Sequence, residues 1–278
     1  MALVTTEKML LDAQKGGYAI AAFNVENLEM VMAVAAAAQE MNTPVILQTT
    51  PSTVKYSSLD YLCEMAMVAT QNIEVPIAVH LDHGESFELA MQAVRAGYTS
   101  IMIDGSHRAF EENILLSRRV VEVCSPSGVP VEAELGKVGG KEDGLDGGSG
   151  GYTEPDEAVE FVKRTGVSSL AVAIGTAHGI YSGVPKLDVE RLSAIRKVVS
   201  IPLVLHGASG LSKEAVRECI ARGICKVNFA TELRIAYSDG IKEQLSQDPG
   251  TFDPKKYGTV GMAKVKALAI EKIKACKG

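Results

Sequence analysis

Eight short apolar runs divide the chain as far as Phe229: Tyr18–Val25, Pro44–Thr50, Pro76–Asp82, Ser100–Gly105, Pro130–Leu135, Ser169–Ile174, Pro202–His206 and Cys225–Phe229. Most are nearly continuous in apolar side chains, as expected of parallel strands covered on both faces. Helix-like stretches lie between them: Leu28–Met41, Ser86–Ala96, Phe110–Cys124, Pro155–Thr165, Asp188–Val198 and Lys213–Arg222. Two of these end on Ala96-Gly97 and Arg222-Gly223, a common helix stop. Eight strand–helix units of this size predict an α/β fold, a closed (β/α)8 TIM barrel. A doubly wound open sheet would have fewer strands and a glycine-rich nucleotide loop after the first. Here the first strand leads into Phe23-Asn24-Val25-Glu26-Asn27 instead. Beyond Phe229 come a helix, a loop marked by Asp248-Pro249-Gly250 and Asp253-Pro254, and a terminal helix near Tyr257–Cys276. These extra C-terminal helices could pack on the barrel or on a neighbouring subunit. No linker interrupts the pattern, so a single domain over 1–278 is expected.

Composition narrows the function classes. A formal charge of −6 over 278 residues gives no electrostatic case for nucleic acid or an anionic membrane. The longest apolar run, Met30–Ala38, is too short to span a bilayer. The N-terminal residues lack the basic start and apolar stretch of a signal peptide. The five cysteines, at 63, 124, 219, 225 and 276, form no C-x-x-C pair. They read as reduced thiols of a cytoplasmic protein.

Three of the five histidines end predicted strands beside a glycine or an aspartate: His83 in Leu81-Asp82-His83-Gly84, His178 in Thr176-Ala177-His178-Gly179, and His206 in Leu205-His206-Gly207. Barrel enzymes do their chemistry at the C-terminal ends of the strands, where distant units converge. Neutral imidazole is a preferred zinc ligand, and catalytic zinc commonly takes three protein ligands and leaves one position open. A crowded polar rim would account for one such histidine but poorly for three. His80 and His107 read as structural or as supports for a ligand. Asp82 precedes His83 and suits proton transfer, with capping or support of the metal as the bland reading. Glu134 and Asp104 also end strands. They could bind an alternate metal position, a monovalent cation or substrate hydroxyls, or serve as hydrogen-bonded supports.

Residues 139–151 hold seven glycines in thirteen positions. A mobile segment on the catalytic face, carrying Glu142, reads as a lid that delivers a carboxylate. His206-Gly207-Ala208-Ser209-Gly210 and Asn228-Phe229-Ala230-Thr231 follow strands seven and eight, where barrels often bind phosphate on backbone N–H groups. Arg234, one turn further on, is a weaker candidate for a second anion, and a solvated charge is the simpler account. Lys137 and Lys226 are the lysines nearest the strand ends. Neither displaces the metal reading in favour of a Schiff base.

Together, Leu81-Asp82-His83, Glu134-Leu135-Gly136, Gly139-Gly140-Lys141-Glu142-Asp143-Gly144, Gly175-Thr176-Ala177-His178-Gly179, Leu205-His206-Gly207-Ala208-Ser209-Gly210 and Asn228-Phe229-Ala230-Thr231 resemble the class II, zinc-dependent ketose-bisphosphate aldolases. The likeness runs in register through the C-terminal helices and is greatest to tagatose-1,6-bisphosphate aldolase catalytic subunits. It implies that His83, His178 and His206 bind Zn2+, with Glu134 as alternate ligand. It implies that Asp82 exchanges a proton with the C4 oxygen and that Glu142 does so at the nucleophilic carbon. It implies that Gly179, Gly207, Ala208, Ser209, Asn228, Phe229, Ala230 and Thr231 hold dihydroxyacetone phosphate. The reaction implied is reversible cleavage of a ketose 1,6-bisphosphate to dihydroxyacetone phosphate and glyceraldehyde 3-phosphate. Zinc as a Lewis acid suits it, because cleavage leaves a carbanion beside a carbonyl. Many fructose-type members carry Asp where this chain has Ala230, which favours tagatose over fructose bisphosphate. Another phosphorylated ketose or keto-acid stays open, as does a non-catalytic sugar-phosphate-binding subunit, against which the intact acid and histidine set argues. The resemblance also suggests a homodimer or homotetramer, with room for a companion subunit.

Overall fold

Each of the eight apolar runs folds as a strand of one closed sheet. In chain order the elements are α1 (Thr6–Gly16), β1 (Ile20–Asn24), α2 (Leu28–Glu40), β2 (Val45–Thr49), α3 (Pro51–Ser57), α4 (Leu59–Thr70), β3 (Ile77–Gly84), α5 (Phe87–Ala96), β4 (Ser100–Ile103), α6 (Phe110–Cys124), β5 (Val131–Leu135), β6 (Gly139–Glu142), β7 (Leu145–Asp146), α7 (Pro155–Thr165), β8 (Ser169–Val172), β9 (Ala177–His178), α8 (Val189–Val198), β10 (Leu203–Leu205), α9 (Lys213–Ala221), β11 (Ile224–Phe229), α10 (Thr231–Gln247) and α11 (Pro254–Lys277). The computed structural model describes residues 3–277 other than 72, 143, 144, 147–150, 182 and 184, and excludes the side chains of 141, 142, 145 and 146. Strands β1, β11, β10, β8, β5, β4, β3 and β2 pair in that order and close into a barrel, as expected. Every barrel pairing is parallel.

The strands bury both faces for different reasons. Outward side chains such as Phe23, Leu47, Val79, Ile101 and Leu170 pack under the helices in the main core. Inward side chains change character along the barrel axis. Near the strand starts Ile20, Ala22, Ile46, Ala78 and Cys225 form a separate apolar plug with Met9, Leu10 and Ala13 of α1. Burying a Met or Leu side chain contributes about 1.5–3 kcal/mol relative to leaving it in water. Helix α1 therefore closes this end of the barrel, helped by the Val4 N–H donating to the Ile77 carbonyl at 2.9 Å. Two residues further along β1, β2 and β3 the inward positions become Asn24, Gln48 and His80, all buried. Polar groups thus fill the half of the barrel nearer the C-terminal ends of the strands.

Helix starts follow local chemistry. Asn27 caps α2 by accepting from the Met30 N–H at 3.0 Å, and Ser86 caps α5 by accepting from the Leu89 N–H at 3.2 Å. Helices α1, α3 and α4 were not among the stretches marked from sequence. Pro51 starts α3, where its missing N–H costs no helical bond. The terminal helix packs on this chain's own α2 and α10. Gly240 and Gly261 permit that crossing, since a Cβ on Gly240 would stand 2.7 Å from the Gly261 Cα. Among the described residues, no helix is long and apolar enough to cross a membrane.

The described parts of the glycine-rich segment include two short strands. Strand β6 pairs antiparallel with β7 and parallel with β9, making a small three-stranded sheet beside the barrel. These pairings are made by backbone hydrogen bonds. Gly140 is in the left-handed region at φ 82, which favours glycine.

Candidate active site

Strand β3 ends in a bend that sets the centre of the site. His83 has φ 52, left-handed for a non-glycine residue, so the chain turns there and adjacent side chains depart from strict alternation. Asp82 stays inside the barrel, 1% exposed, while His83 reaches across the mouth. His178 comes from β9 and His206 from the end of β10. One ring nitrogen from each of His83, His178 and His206 lies within 4.8 Å of the others.

The carboxylates around the rings decide which nitrogen faces inward. His83 Nδ1 lies 2.7 Å from Asp104 Oδ2, and His206 Nε2 lies 2.9 Å from Glu132 Oε1. A carboxylate only accepts, so each of these nitrogens carries its proton and donates. The opposite nitrogens, His83 Nε2 and His206 Nδ1, then present lone pairs 3.0 Å apart. Two lone pairs at that distance repel unless a proton or a cation lies between them. Burial pushes the His206 imidazole below its ordinary pKa, which favours the neutral form that binds metal. Glu134 adds to this. Its buried Oε2 lies 3.4 Å from His206 Nδ1 and has no hydrogen-bond partner. Burial, reinforced by Asp104, pushes the Glu134 carboxyl up to about 8. Three convergent imidazoles and an orphaned carboxylate oxygen are a donor set that fits a divalent cation.

Asp104 falls in a second cluster with His83 and Glu134. Its two oxygens are already engaged, by His83 and by the Ser106 N–H at 2.9 Å. Burial opposes its ionisation, but the hydrogen bonds from His83 and Ser106 outweigh that and hold it well below the usual carboxylate range. Asp104 is thus placed to orient His83. His80 is fully buried and bonded to Ser100 Oγ at 2.8 Å, in keeping with a structural role. His107 is exposed on the turn after β4 and belongs to neither cluster.

Asp82 is held by three side-chain amides. Asn24 Nδ2 donates to Oδ2 at 2.9 Å, Gln48 Nε2 to Oδ2 at 3.1 Å and Asn228 Nδ2 to Oδ1 at 3.1 Å. These neutral donors fix the position of the carboxylate without pairing it with a positive charge. Asn24 and Gln48 were missed from sequence, because inward-facing polar residues of β1 and β2 read as ordinary strand content.

Asp82 lines a small cavity of about 60 Å³ with Asn24, His178, Gly179, Gly207, Ser209, Asn228, Ala230, Thr231 and Arg234. Both expected phosphate loops therefore meet in one hollow. Tyr181 ties the first of these loops to the His178 strand, its hydroxyl accepting from the Ala177 N–H at 2.8 Å and donating to the Gly207 carbonyl at 2.7 Å. The side chains of Ala208 and Phe229 do not line the cavity. They are buried in the core, with Phe229 stacked 5.8 Å from Phe23, so any contact with a ligand there comes from backbone. Arg234 stays partly exposed to solvent, and it is also paired. It lines the cavity, and its Nε donates to Glu26 Oε1 at 2.6 Å. The backbone of Glu142 ends β6, but its side chain lies outside the described residues. The Gly139↔Ala177 and Gly140↔His178 pairings place that strand directly beside the His178 strand.

The family model for class II fructose-bisphosphate aldolase matches residues 4–278. The YdjI aldolase of Escherichia coli K12 is 40% identical with a TM-score of 0.88, over 99% of this chain and 97% of that one. A Coccidioides immitis protein assigned as a fructose-1,6-bisphosphate aldolase is 33% identical with a TM-score of 0.88, over 97% and 94% of the two chains. The fructose-bisphosphate aldolase of Campylobacter jejuni shares the fold, with a TM-score of 0.84 at 23% identity over 99% of this chain and 95% of that one. With its barrel, its histidine cluster and this match along nearly its whole length, the chain belongs to the class II fructose-bisphosphate aldolase family and is a carbon–carbon lyase.

Proposed function

We propose that this protein cleaves a ketose 1,6-bisphosphate, tagatose 1,6-bisphosphate in preference to fructose 1,6-bisphosphate, to dihydroxyacetone phosphate and glyceraldehyde 3-phosphate. The observation that carries the proposal is the convergence of His83, His178 and His206 at the edge of the cavity that holds Asp82. The three imidazoles would hold Zn2+, with Glu134 as an alternate ligand. When bound, zinc supplies Lewis-acid polarisation of the substrate carbonyl.

The chain's own groups do the rest. Asp82 takes the proton of the C4 hydroxyl as the C3–C4 bond breaks. The electron pair of that bond passes to C3 and its neighbouring carbonyl. Glu142, at the end of β6, returns a proton to C3 and completes dihydroxyacetone phosphate. Gly179, Gly207, Ser209 and the Asn228–Thr231 segment hold the phosphate of that half, largely through backbone N–H groups. Arg234, braced by Glu26, contributes the positive charge of the cavity wall. The protein is a cytoplasmic homo-oligomer on this reading.

The test is kcat/KM on both bisphosphates with purified, zinc-loaded protein. Cleavage of tagatose bisphosphate with the higher value supports the full reading. A higher value for fructose bisphosphate corrects the substrate. A folded, zinc-loaded protein that cleaves neither overturns the proposal.

A further inference from the structure

The barrel interior holds a charged pair that the cleavage steps do not use. Lys226 of β11 is fully buried, and its Nζ donates to Glu132 Oε2 of β5 at 2.8 Å. The other oxygen, Oε1, accepts from His206 Nε2 at 2.9 Å. Glu132 is 2% exposed and His206 is fully buried. Behind Lys226 lies His80, its Nε2 3.4 Å from Nζ and its Nδ1 2.8 Å from Ser100 Oγ. Ser100 Oγ in turn lies 2.9 Å from Thr6 Oγ1 on α1. One polar file thus runs from the closed end of the barrel to His206.

Removing two charges from water costs several kcal/mol per ion, and replacing such a pair with well-packed apolar groups is often neutral or stabilising. Stability alone is thus a poor reason to keep this pair. Position supplies a better one. His206 can present Nδ1 to the cluster only while its proton stays on Nε2. Glu132 secures this if its acceptor oxygen is fixed opposite Nε2, and Lys226 fixes it by holding the other oxygen.

We infer that Lys226 and Glu132 are positioning residues for the metal site: Lys226 anchors Glu132, Glu132 fixes the tautomer of His206, and that tautomer aims the Nδ1 lone pair at the cation. The inference rests on the zinc reading above, but its central claim concerns a ring proton and is measurable in metal-free protein. Groups that support a metal-ligating histidine in this way typically change affinity or activity by about 10–100-fold when altered.

The experiment compares wild type, Lys226→Met and the double variant Lys226→Met/Glu132→Gln. The double variant carries no unpaired buried charge, so it covers the case in which the single one fails to fold. Circular dichroism and Tm establish folding. Nitrogen-15 NMR of the metal-free proteins then reads the His206 tautomer, and chelator competition reads the Zn2+ Kd. In wild type the proton is expected on Nε2. In the folded variants the neutral or unanchored partner tolerates both tautomers, and Kd should rise about 10–100-fold. Wild-type His206 protonated at Nδ1, or folded variants with wild-type tautomer and Kd within twofold, would overturn the inference. If wild type binds Zn2+ no better than His178→Ala, the zinc reading fails instead, and the tautomer result still decides the role of the pair.

Discussion

His206 Nδ1 stands 3.0 Å from His83 Nε2, although 123 residues separate them in sequence. Each ring has its other nitrogen committed to a carboxylate, Glu132 for one and Asp104 for the other. The two facing nitrogens are therefore left with lone pairs directed at a common point, which His178 also borders. About one tightly held zinc per chain is expected, as for a three-ligand catalytic site. Chelation should abolish cleavage, and added zinc or cobalt should restore it. Full activity in metal-free protein, or a borohydride-trapped adduct between substrate and a lysine, would exclude this chemistry.

The two candidate acids should fail differently. Asp82→Ala and Glu142→Ala should both retain zinc, and each should lose roughly 10²–10⁴-fold in turnover. Asp82 is fixed by Asn24, Gln48 and Asn228, so it is set for one proton at one oxygen. Without it, proton exchange at dihydroxyacetone phosphate should persist while cleavage stops. Without Glu142 the exchange itself should stop. Solvent-deuterium incorporation into dihydroxyacetone phosphate separates the two, and wild-type exchange in Glu142→Ala would remove that residue from the reaction.

A backbone position joins the two machineries. Gly140 has φ 82, and an added Cβ there would overlap the His178 carbonyl oxygen. Gly140→Ala should therefore disturb the β6–β9 pairing that places the Glu142 strand beside His178. Strain of this kind costs on the order of 1–3 kcal/mol. If it falls on the catalytic arrangement, kcat should drop by about tenfold or more. The barrel core lies elsewhere, so Tm should move little. Unchanged kcat would show that the hairpin does not need this register for turnover.

How far the sequence disclosed all this follows from what side-chain pattern can carry. The apolar runs marked all eight barrel strands, since two buried faces leave a continuous apolar signature. The histidines stood out because His83, His178 and His206 end their units beside glycine or aspartate. The charged file inside the barrel stayed hidden. Val131-Glu132-Ala133-Glu134-Leu135 alternates apolar and polar, and on an open sheet that pattern means one face in water. Periodicity does not say that the polar face turns inward to meet Lys226, His206 and Asp104. The strand Gly139–Glu142 was hidden for a related reason. Its partners are backbone groups of Ala177 and His178, and backbone pairing leaves no side-chain trace.

The last prediction concerns the epimer at C4. Ala230 lines the same cavity as Asp82, the proposed partner of the C4 oxygen. Its N–H donates to Ser209 Oγ at 3.2 Å, which leaves a methyl group as its only side-chain contribution to the cavity wall. An aspartate at this position would present a carboxylate that can accept from a substrate hydroxyl. A site that hydrogen-bonds one hydroxyl rejects the epimer, because buried polar groups then go unpaired. Without that carboxylate, preference for the fructose epimer should weaken and tagatose bisphosphate should be the better substrate. Ala230→Asp should shift the kcat/KM ratio toward fructose bisphosphate by about 1–3 kcal/mol, the cost of one buried polar contact. The shift should fall on the ratio and leave zinc content unchanged, since Ala230 belongs to neither metal-binding cluster. A wild-type ratio that clearly favours fructose bisphosphate, or a ratio the substitution leaves alone, would remove the residue-level basis for tagatose.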